Sequence, residues 1–186
     1  MVAALSILPA VETPRLRLRC PEPRDAEALA TLMNETISRR LASWPVPYTP
    51  LMALDRIAGI RMAAEAGRSL PLVMERREDG AVTGWISISC APGNPRTALI
   101  TYWLGEPFHG QGLMREAAPA ALAEAFRVLD IDRVRAAVQV DNGASLAVVE
   151  LLGMRPMGTG RIWCPSRGQE ESCLWFEVAR PDAAGR

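Results

Sequence analysis

The sequence predicts one α+β domain around a mixed sheet, and three observations predict it. A short alternating strand at the start gives way to a helical pattern. The middle of the chain carries three strand-like runs separated by turns. The second half reads strand, helix, strand, helix behind a glycine-rich stretch. At 186 residues a single domain is the economical reading, long enough to bury roughly 70% of the surface its unfolded chain would expose.

MVAALSILPA (1–10) is apolar but lacks the positive n-region of a signal peptide, so it reads as a short N-terminal extension. The domain then spans 11–180, and a polar tail follows at 181–186. Residues 11–19 read as the first strand, with LRLR at 16–19 alternating apolar and charged side chains. Two prolines in CPEPRDAE interrupt it before Ala26, Leu29, Ala30, Met33 and Ile37 fall at helical spacing. SWPVPYTP (43–50) holds three prolines and must be extended or turning; its end offers Thr49 as N-cap and Pro50 at N1 of a second helix over about 50–66. Residues 71–76 and 82–89 are strand-like and joined through Asp79-Gly80, a dipeptide suited to a tight hairpin turn. A third run, 98–104, follows a loop at 91–96 and completes an antiparallel meander. Beyond the glycine stretch come a helix over about 113–129, a strand at 134–140, a helix at about 144–152 and Gly153 as its stop. Pro119 sits well inside the first of these helices, where it removes one N–H and should bend the axis or cost about 3 kcal/mol. The loop CPSRGQEE and a strand at 173–178 close the domain.

Composition excludes several functions. The 21 basic residues, all arginine, balance 21 acidic ones, so no polybasic surface for nucleic acid is advertised. The absence of lysine excludes Schiff-base chemistry and a lysine-bearing P-loop. Cys20, Cys90, Cys164 and Cys173 lack C-x-x-C spacing, which fits free thiols in a reducing, cytoplasmic compartment and argues against a metal site. His109 is the only histidine, which removes most zinc ligand sets. No apolar run approaches the ~18 residues needed to span a bilayer, so no membrane partner is expected.

FHGQGLMREA (108–117) places His109-Gly110-Gln111-Gly112 between a strand ending in Tyr102-Trp103-Leu104 and the start of a helix. Unpaired N–H groups at the positive end of a helix dipole bind anions, and glycine lets a ligand approach the backbone. Gly-x-Gly before a helix is also an ordinary way to begin one, so the motif alone leaves both readings open. Arg115 stands where a dinucleotide fingerprint needs glycine or alanine.

YWLGEPFHGQGLMREA, followed by VDNGASLAVVELLGM (140–154), resembles the acetyl-CoA-binding core of the GNAT acyltransferases, and within them the RimJ/RimL-type N-acetyltransferases. ETPRLRLRCPEPRDAEAL (12–29) and WPVPYT (44–49) are similar to that subfamily's opening strand and helix and its proline-rich substrate-side loop. The resemblance implies α/β/α layers, a mostly antiparallel sheet of six to seven strands with a splayed central parallel pair, and acetyl-CoA as co-substrate without a metal. It further implies N-acetylation of a primary amine by a monomer or homodimer. Its Q/R-x-x-G-x-G/A motif falls on His109, Gly110, Gln111, Gly112, Leu113 and Met114, departing at His109 and Met114; Arg115 follows as a possible phosphate contact. The pantetheine arm would lie in the splay beside Asn142, with Ser145 near its thiol and Trp103 or Leu104 N–H at the carbonyl oxygen. On the residues alone, Asn142 and Ser145 could equally cap the next helix.

The subfamily's glutamate three residues before the strand tyrosine is replaced by Leu99. A site without a strong base suits α-amines, with pKa about 7.7–8.0, better than lysine side chains, which pay roughly 4 kcal/mol to be neutral. Leu99 also keeps open a non-catalytic acetyl-CoA or CoA binder on the same fold. Trp44, Tyr48 and Trp163 could line the acceptor pocket or pack beneath long loops. Arg161 and Arg167 could meet an acidic acceptor or remain solvated loop charges.

Overall fold

Leu16 and Leu18 point to one side of the first long strand and are fully buried, as the alternation requires. The computed structural model describes residues 10–181; the expected extension (1–10) and tail (181–186) lie almost wholly outside them. Strands β1 (Val11–Glu12) and β2 (Leu16–Arg19) lead through a short 3₁₀ turn to helices α1 (Ala26–Leu32), α2 (Glu35–Ser38) and α3 (Pro50–Glu65). Strands β3 (Ser69–Arg76), β4 (Val82–Ala91) and β5 (Asn94–Leu104) form the meander. Then come α4 (Leu113–Val128), β6 (Arg133–Val138), α5 (Gly143–Leu151), β7 (Arg155–Cys164) and β8 (Gln169–Ala179).

Among the described residues, eight strands join one sheet in the order β1-β2-β3-β4-β5-β6-β8-β7. Every neighbouring pair is antiparallel except β5 and β6. The mixed α+β fold matches the expectation, but the strand count of six to seven does not. Residues 11–19 are two strands rather than one, because the chain reverses at Pro14 and pairs Val11 with Leu18. Strand β7 gave no sequence signal, since RPMGTGRIWC carries a proline and two glycines and lies exposed along most of its length. Pairing with β8 alone makes it a strand. The single helix expected over 26–37 is broken at Met33, and Asn34 caps the second piece by accepting from Ile37 N–H at 3.1 Å. Thr49 and Pro50 begin α3 as expected, with Thr49 Oγ1 accepting from Met52 N–H.

Each face of the sheet carries its own core. Leu70, Leu72 and Met74 of β3 and Ile86 and Ile88 of β4 pack against α4, whose facing positions are Ala117, Ala118, Ala121 and Ala125. Alanine there lets the helix lie close to the sheet. On the opposite face Val73, Trp85 and Trp103 meet α1, α3 and the proline-rich loop through Leu29, Ile57, Trp44 and Tyr48. Helix α4 runs through Pro119 without interruption. Pro119 and Arg115 are both exposed, so the carbonyl that loses its donor faces water, which lowers the expected cost.

Two polar ties hold this arrangement. Arg19, almost fully buried, donates to both oxygens of Asp25 (2.8 and 2.7 Å) and from Nε to Glu75 (2.7 Å), joining β2, β3 and the entry to α1. At the far end of the sheet the β7–β8 turn is latched to the α2–α3 loop. Arg167 donates from Nη1 to the Ser38 and Leu41 carbonyls (3.1 and 3.0 Å), and Ser166 donates twice to Ala42 O. Arg167 also forks onto Glu171, whose carboxyl is held down to about 2 chiefly by that guanidinium.

Asp25→Ala should lower the free energy of unfolding by about 3 kcal/mol, because it strands a buried guanidinium; urea denaturation measures it. Glu171, whose folded pKa is depressed from its ordinary 4.5, contributes stability that is present above that value and lost as pH falls toward about 2. Glu171→Gln should therefore be less stable than the parent at pH 7, and the gap should close between about pH 4.5 and pH 2 in denaturation followed across that range.

Candidate active site

The parallel contact between β5 and β6 is short. Thr97, Ala98 and Leu99 pair with Arg133, Val134 and Arg135, and there the pairing ends although β5 continues to Leu104 and β6 to Val138. The two strands separate, and each presents an unpaired backbone edge to the gap. A cleft of about 100 Å³ occupies it, lined among others by Leu99, Thr101, Tyr102, Ala137, Asn142 and Ser145. That volume is well below the ~300–1,000 Å³ of pockets that enclose a compact ligand, so the gap suits a narrow extended chain.

Backbone alternation fixes which groups face it. Gly105 N–H donates to Thr83 O on β4 (2.9 Å), so the Leu104 carbonyl of the same peptide points away from β4. One peptide earlier the directions reverse, which turns the Leu104 N–H toward the gap and the Trp103 N–H toward β4. Of the two donors considered at the strand end, only Leu104 is on the open side. The Trp103 side chain lies in the opposite core against Trp44, and its indole N–H is buried without a hydrogen-bond partner among the described residues.

At the mouth of the gap stands the glycine loop. Gly110 and Gly112 have φ of 72° and 73°, conformations that side chains rarely adopt, and Gly112 is the N-cap of α4. No atom lies within 4 Å of a Cβ placed on Gly110, so backbone conformation and not space demands glycine there. The N–H groups of Leu113, Met114 and Arg115 have no acceptor inside the helix and sit at its positive end. The side chains of Leu113 and Met114 are buried in the core, whereas Arg115 is exposed and has no ion-pair partner among the described residues. The His109 ring is held at the end of β5, its Nε2 lying 2.9 Å from Leu104 O. Gln111 folds back to donate to Pro107 O (2.9 Å), leaving its backbone in the loop.

Across the gap, Asn142 caps α5 by accepting from Ser145 N–H at 3.2 Å, so the capping role is real. Its amide nitrogen makes no hydrogen bond among the described residues, nor does the Ser145 hydroxyl, and both residues line the cleft. Tyr102 spans the gap: its hydroxyl donates to Ser145 O at 3.3 Å, and burial pushes its pKa up. Nothing in the sequence pattern assigns Tyr102 a part; its place two residues before the end of β5 was the available signal.

The expected acceptor residues are not brought together. Trp44 is 1% exposed and packs at a tilt against Tyr48, ring centroids 5.1 Å apart, inside the core. Tyr48 borders a second, open cavity between α3 and the β7–β8 turn. Trp163, 56% exposed, lies on the other face of β7 from Ile162 and Cys164, which line the cleft. Arg161 is paired with Glu170, and Arg167 is committed to the latch. Leu99 does line the cleft, where a carboxylate would have faced the gap. Glu171, the carboxylate among the lining residues, is saturated by Arg167 and Gln139.

Comparison with known proteins agrees with this geometry. The Acetyltransferase (GNAT) domain family matches residues 15–155. YdaF of Bacillus subtilis, named provisionally as a ribosomal N-acetyltransferase, is 26% identical over 183 residues, covering 91% of this chain and 94% of its own. Among solved structures, RimL, the ribosomal L7/L12 α-N-protein acetyltransferase, in complex with coenzyme A superposes with a TM-score of 0.79 at 22% identity, covering 92% of this chain and 98% of its own. Mycobacterium smegmatis RimJ in complex with CoA-disulfide gives 0.78 at 24% identity, over 96% and 90%. The strand splay and the helix-capping glycine loop thus sit within a matched domain, and the chain belongs to the GNAT acetyltransferase family as an N-acetyltransferase.

Proposed function

We propose that the protein moves the acetyl group of acetyl-CoA to the α-amine of a peptide or protein N-terminus, or of a small molecule, by direct attack on the thioester. The observation that carries this reading is the end of β5–β6 pairing at Leu99 beside a helix N-terminus opened by two positive-φ glycines. An extended amide chain finds backbone donors and acceptors along the gap, as an added strand would. A pyrophosphate finds the N–H groups of Gly110 to Arg115. Coenzyme A in the RimL structure and a CoA-disulfide in the RimJ structure support the choice of ligand.

Each residue then has a task that its geometry permits. His109 and Gln111 serve through their backbone, since their side chains are bonded within the loop. Leu113 and Met114 likewise offer N–H groups while their side chains pack inward, and Arg115 is free to add charge. The amide nitrogen of Asn142 is available to a pantetheine carbonyl. Leu104 N–H is the donor for the oxygen that becomes negative as the amine attacks. The Ser145 hydroxyl gives a proton to the departing sulfur and takes in return the one that the amine nitrogen sheds as it becomes positive, while Tyr102 holds the Ser145 carbonyl in place.

Among the described residues, no carboxylate in the cleft is free to take a proton from the amine, so the acceptor must arrive neutral. An α-amine with pKa about 7.7–8.0 is partly neutral near pH 7, and a lysine near 10.4 is not. Names of relatives that refer to ribosomal proteins and an α-N-protein acceptor fit this preference. A second reading follows from Leu99: a protein that binds acetyl-CoA or CoA and has lost turnover.

Thiol release from acetyl-CoA, measured with N-terminal peptides, amino acids and polyamines, separates the two. Turnover on α-amines faster than on matched internal lysines is expected; the reverse order would refute the α-amine assignment, and tight binding with no turnover would favour the second reading. Ser145→Ala should lower kcat by about 10²-fold with little change in KM for acetyl-CoA. Gly112→Ala should raise that KM by about tenfold, because the φ of the cradle no longer suits the residue.

A further inference from the structure

The TPR that opens the domain takes no part in the proposed chemistry, yet it is folded against the glycine loop. Thr13 Oγ1 donates to Glu116 Oε1 at 2.6 Å, and the backbone N–H of Arg15 donates to the same oxygen at 2.7 Å. Arg15 Nε donates to Glu116 Oε2 at 2.7 Å, while Nη1 of the same guanidinium donates to the Gln111 carbonyl at 2.8 Å. One planar fork thus joins the start of the domain to both the cradle and the first turn of α4. Nη2 lies beside Gly112, 3.7 Å from where a Cβ would stand.

Two physical consequences follow. In a planar trans peptide the C=O of one residue and the N–H of the next point in opposite directions. Pinning the Gln111 oxygen therefore orients the Gly112 N–H away from Arg15. The second consequence concerns charge, because a carboxylate in the first turn competes with an incoming phosphate for the positive end of the helix. Burial opposes ionisation of Glu116, but hydrogen bonds from Thr13 and from the backbone and side chain of Arg15 outweigh it and hold the carboxyl below its ordinary range. The carboxylate is therefore charged at neutral pH, and Arg15 is the cation that faces it.

We propose that Arg15 is a positioning residue for the coenzyme's pyrophosphate: it fixes the Gln111–Gly112 peptide so that its N–H faces the phosphates, and it cancels the Glu116 charge that would oppose them. The proposal rests on the acetyl-CoA reading above. It gives the first strand of the domain a part in binding a ligand held almost a hundred residues later.

A double-mutant cycle on the full chain tests it, with CoA as the probe, its Kd read by calorimetry, and kcat and KM for acetyl-CoA measured alongside. Arg15→Met should weaken CoA binding about tenfold while kcat at saturating acetyl-CoA stays within about twofold. Adding Glu116→Gln should recover part of that loss, because the unopposed carboxylate is gone. Unchanged binding in Arg15→Met, or a double variant as weak as or weaker than Arg15→Met, overturns the proposal; the second result is what direct contact between Arg15 and a phosphate would give. Should Arg15→Met fail to fold, Arg15→Lys keeps the charge but lacks the planar fork whose separate nitrogens meet Glu116 and Gln111, and it should still bind CoA more weakly than the parent. Parent-level binding in Arg15→Lys would then sink the idea. A parent protein that does not bind CoA overturns the acetyl-CoA reading instead. Amide exchange of residues 108–117 then decides the proposal without ligand: faster exchange in the arginine variant supports a pinned loop, and equal rates reject it.

Discussion

The rest of the site depends on β5 and β6 ceasing to pair after Leu99 and Arg135. Parallel strands that stay paired leave no room between them and no free backbone groups. Here the edges of both strands end their pairing inside a protein that otherwise satisfies its backbone, and such edges call for a ligand with amide-like donors and acceptors. Everything on the two sides of the gap is arranged around that divergence. Helix α4 is the next α-helix after β5 and α5 the next after β6, so both helices start beyond the ends of the two diverging strands.

The divergence needs support because neither strand holds the other beyond Leu99. On the β5 side the antiparallel register with β4, from Gly84–Leu104 to Cys90–Ala98, fixes the strand along its full length. On the β6 side β8 pairs with Arg133 through Val138. The latch from Ser166 and Arg167 to Ser38, Leu41 and Ala42 joins the outer β7–β8 hairpin to the opposite half of the domain. Gln139 adds a bond to Arg39 O from the end of β6 itself. The cleft is thus held open by neighbours on its flanks and bridged at the β7–β8 turn. It needs no mobile segment to exist, which fits a site preorganised for an extended coenzyme.

Electrostatics in the site is spent on position more than on proton transfer. Glu171 and Arg167 satisfy each other, Asp141 is taken by Arg40, and Glu116 by Arg15. Among the described residues, the donors left over in the cleft include the Ser145 hydroxyl, the Asn142 amide and the Leu104 N–H, all neutral. In the proposed reaction they stabilise a developing negative charge and a leaving sulfur, and the supply of a neutral amine falls to the acceptor's own acidity.

The sequence by itself determined the order of elements over most of the chain, because turn residues and periodicity act locally. Asp79-Gly80, Thr49-Pro50 and Gly112 mark boundaries that the structure keeps. It also placed the glycine-capped helix start that is proposed as the anion cradle, since a helix N-terminus after Gly-x-Gly is a local device. It missed β7, whose residues have no apolar alternation and become a strand only by pairing with β8. It grouped Trp44 and Trp163, which lie apart because one is the centre of an aromatic core and the other faces water. Which peptide of Trp103-Leu104 opens on the gap, and that Asn142 spends its oxygen on a cap, followed only from register and from the partners across space. So did the fork of Arg15 onto Gln111 and Glu116, because no local pattern encodes a hydrogen bond between residues separated by most of a domain.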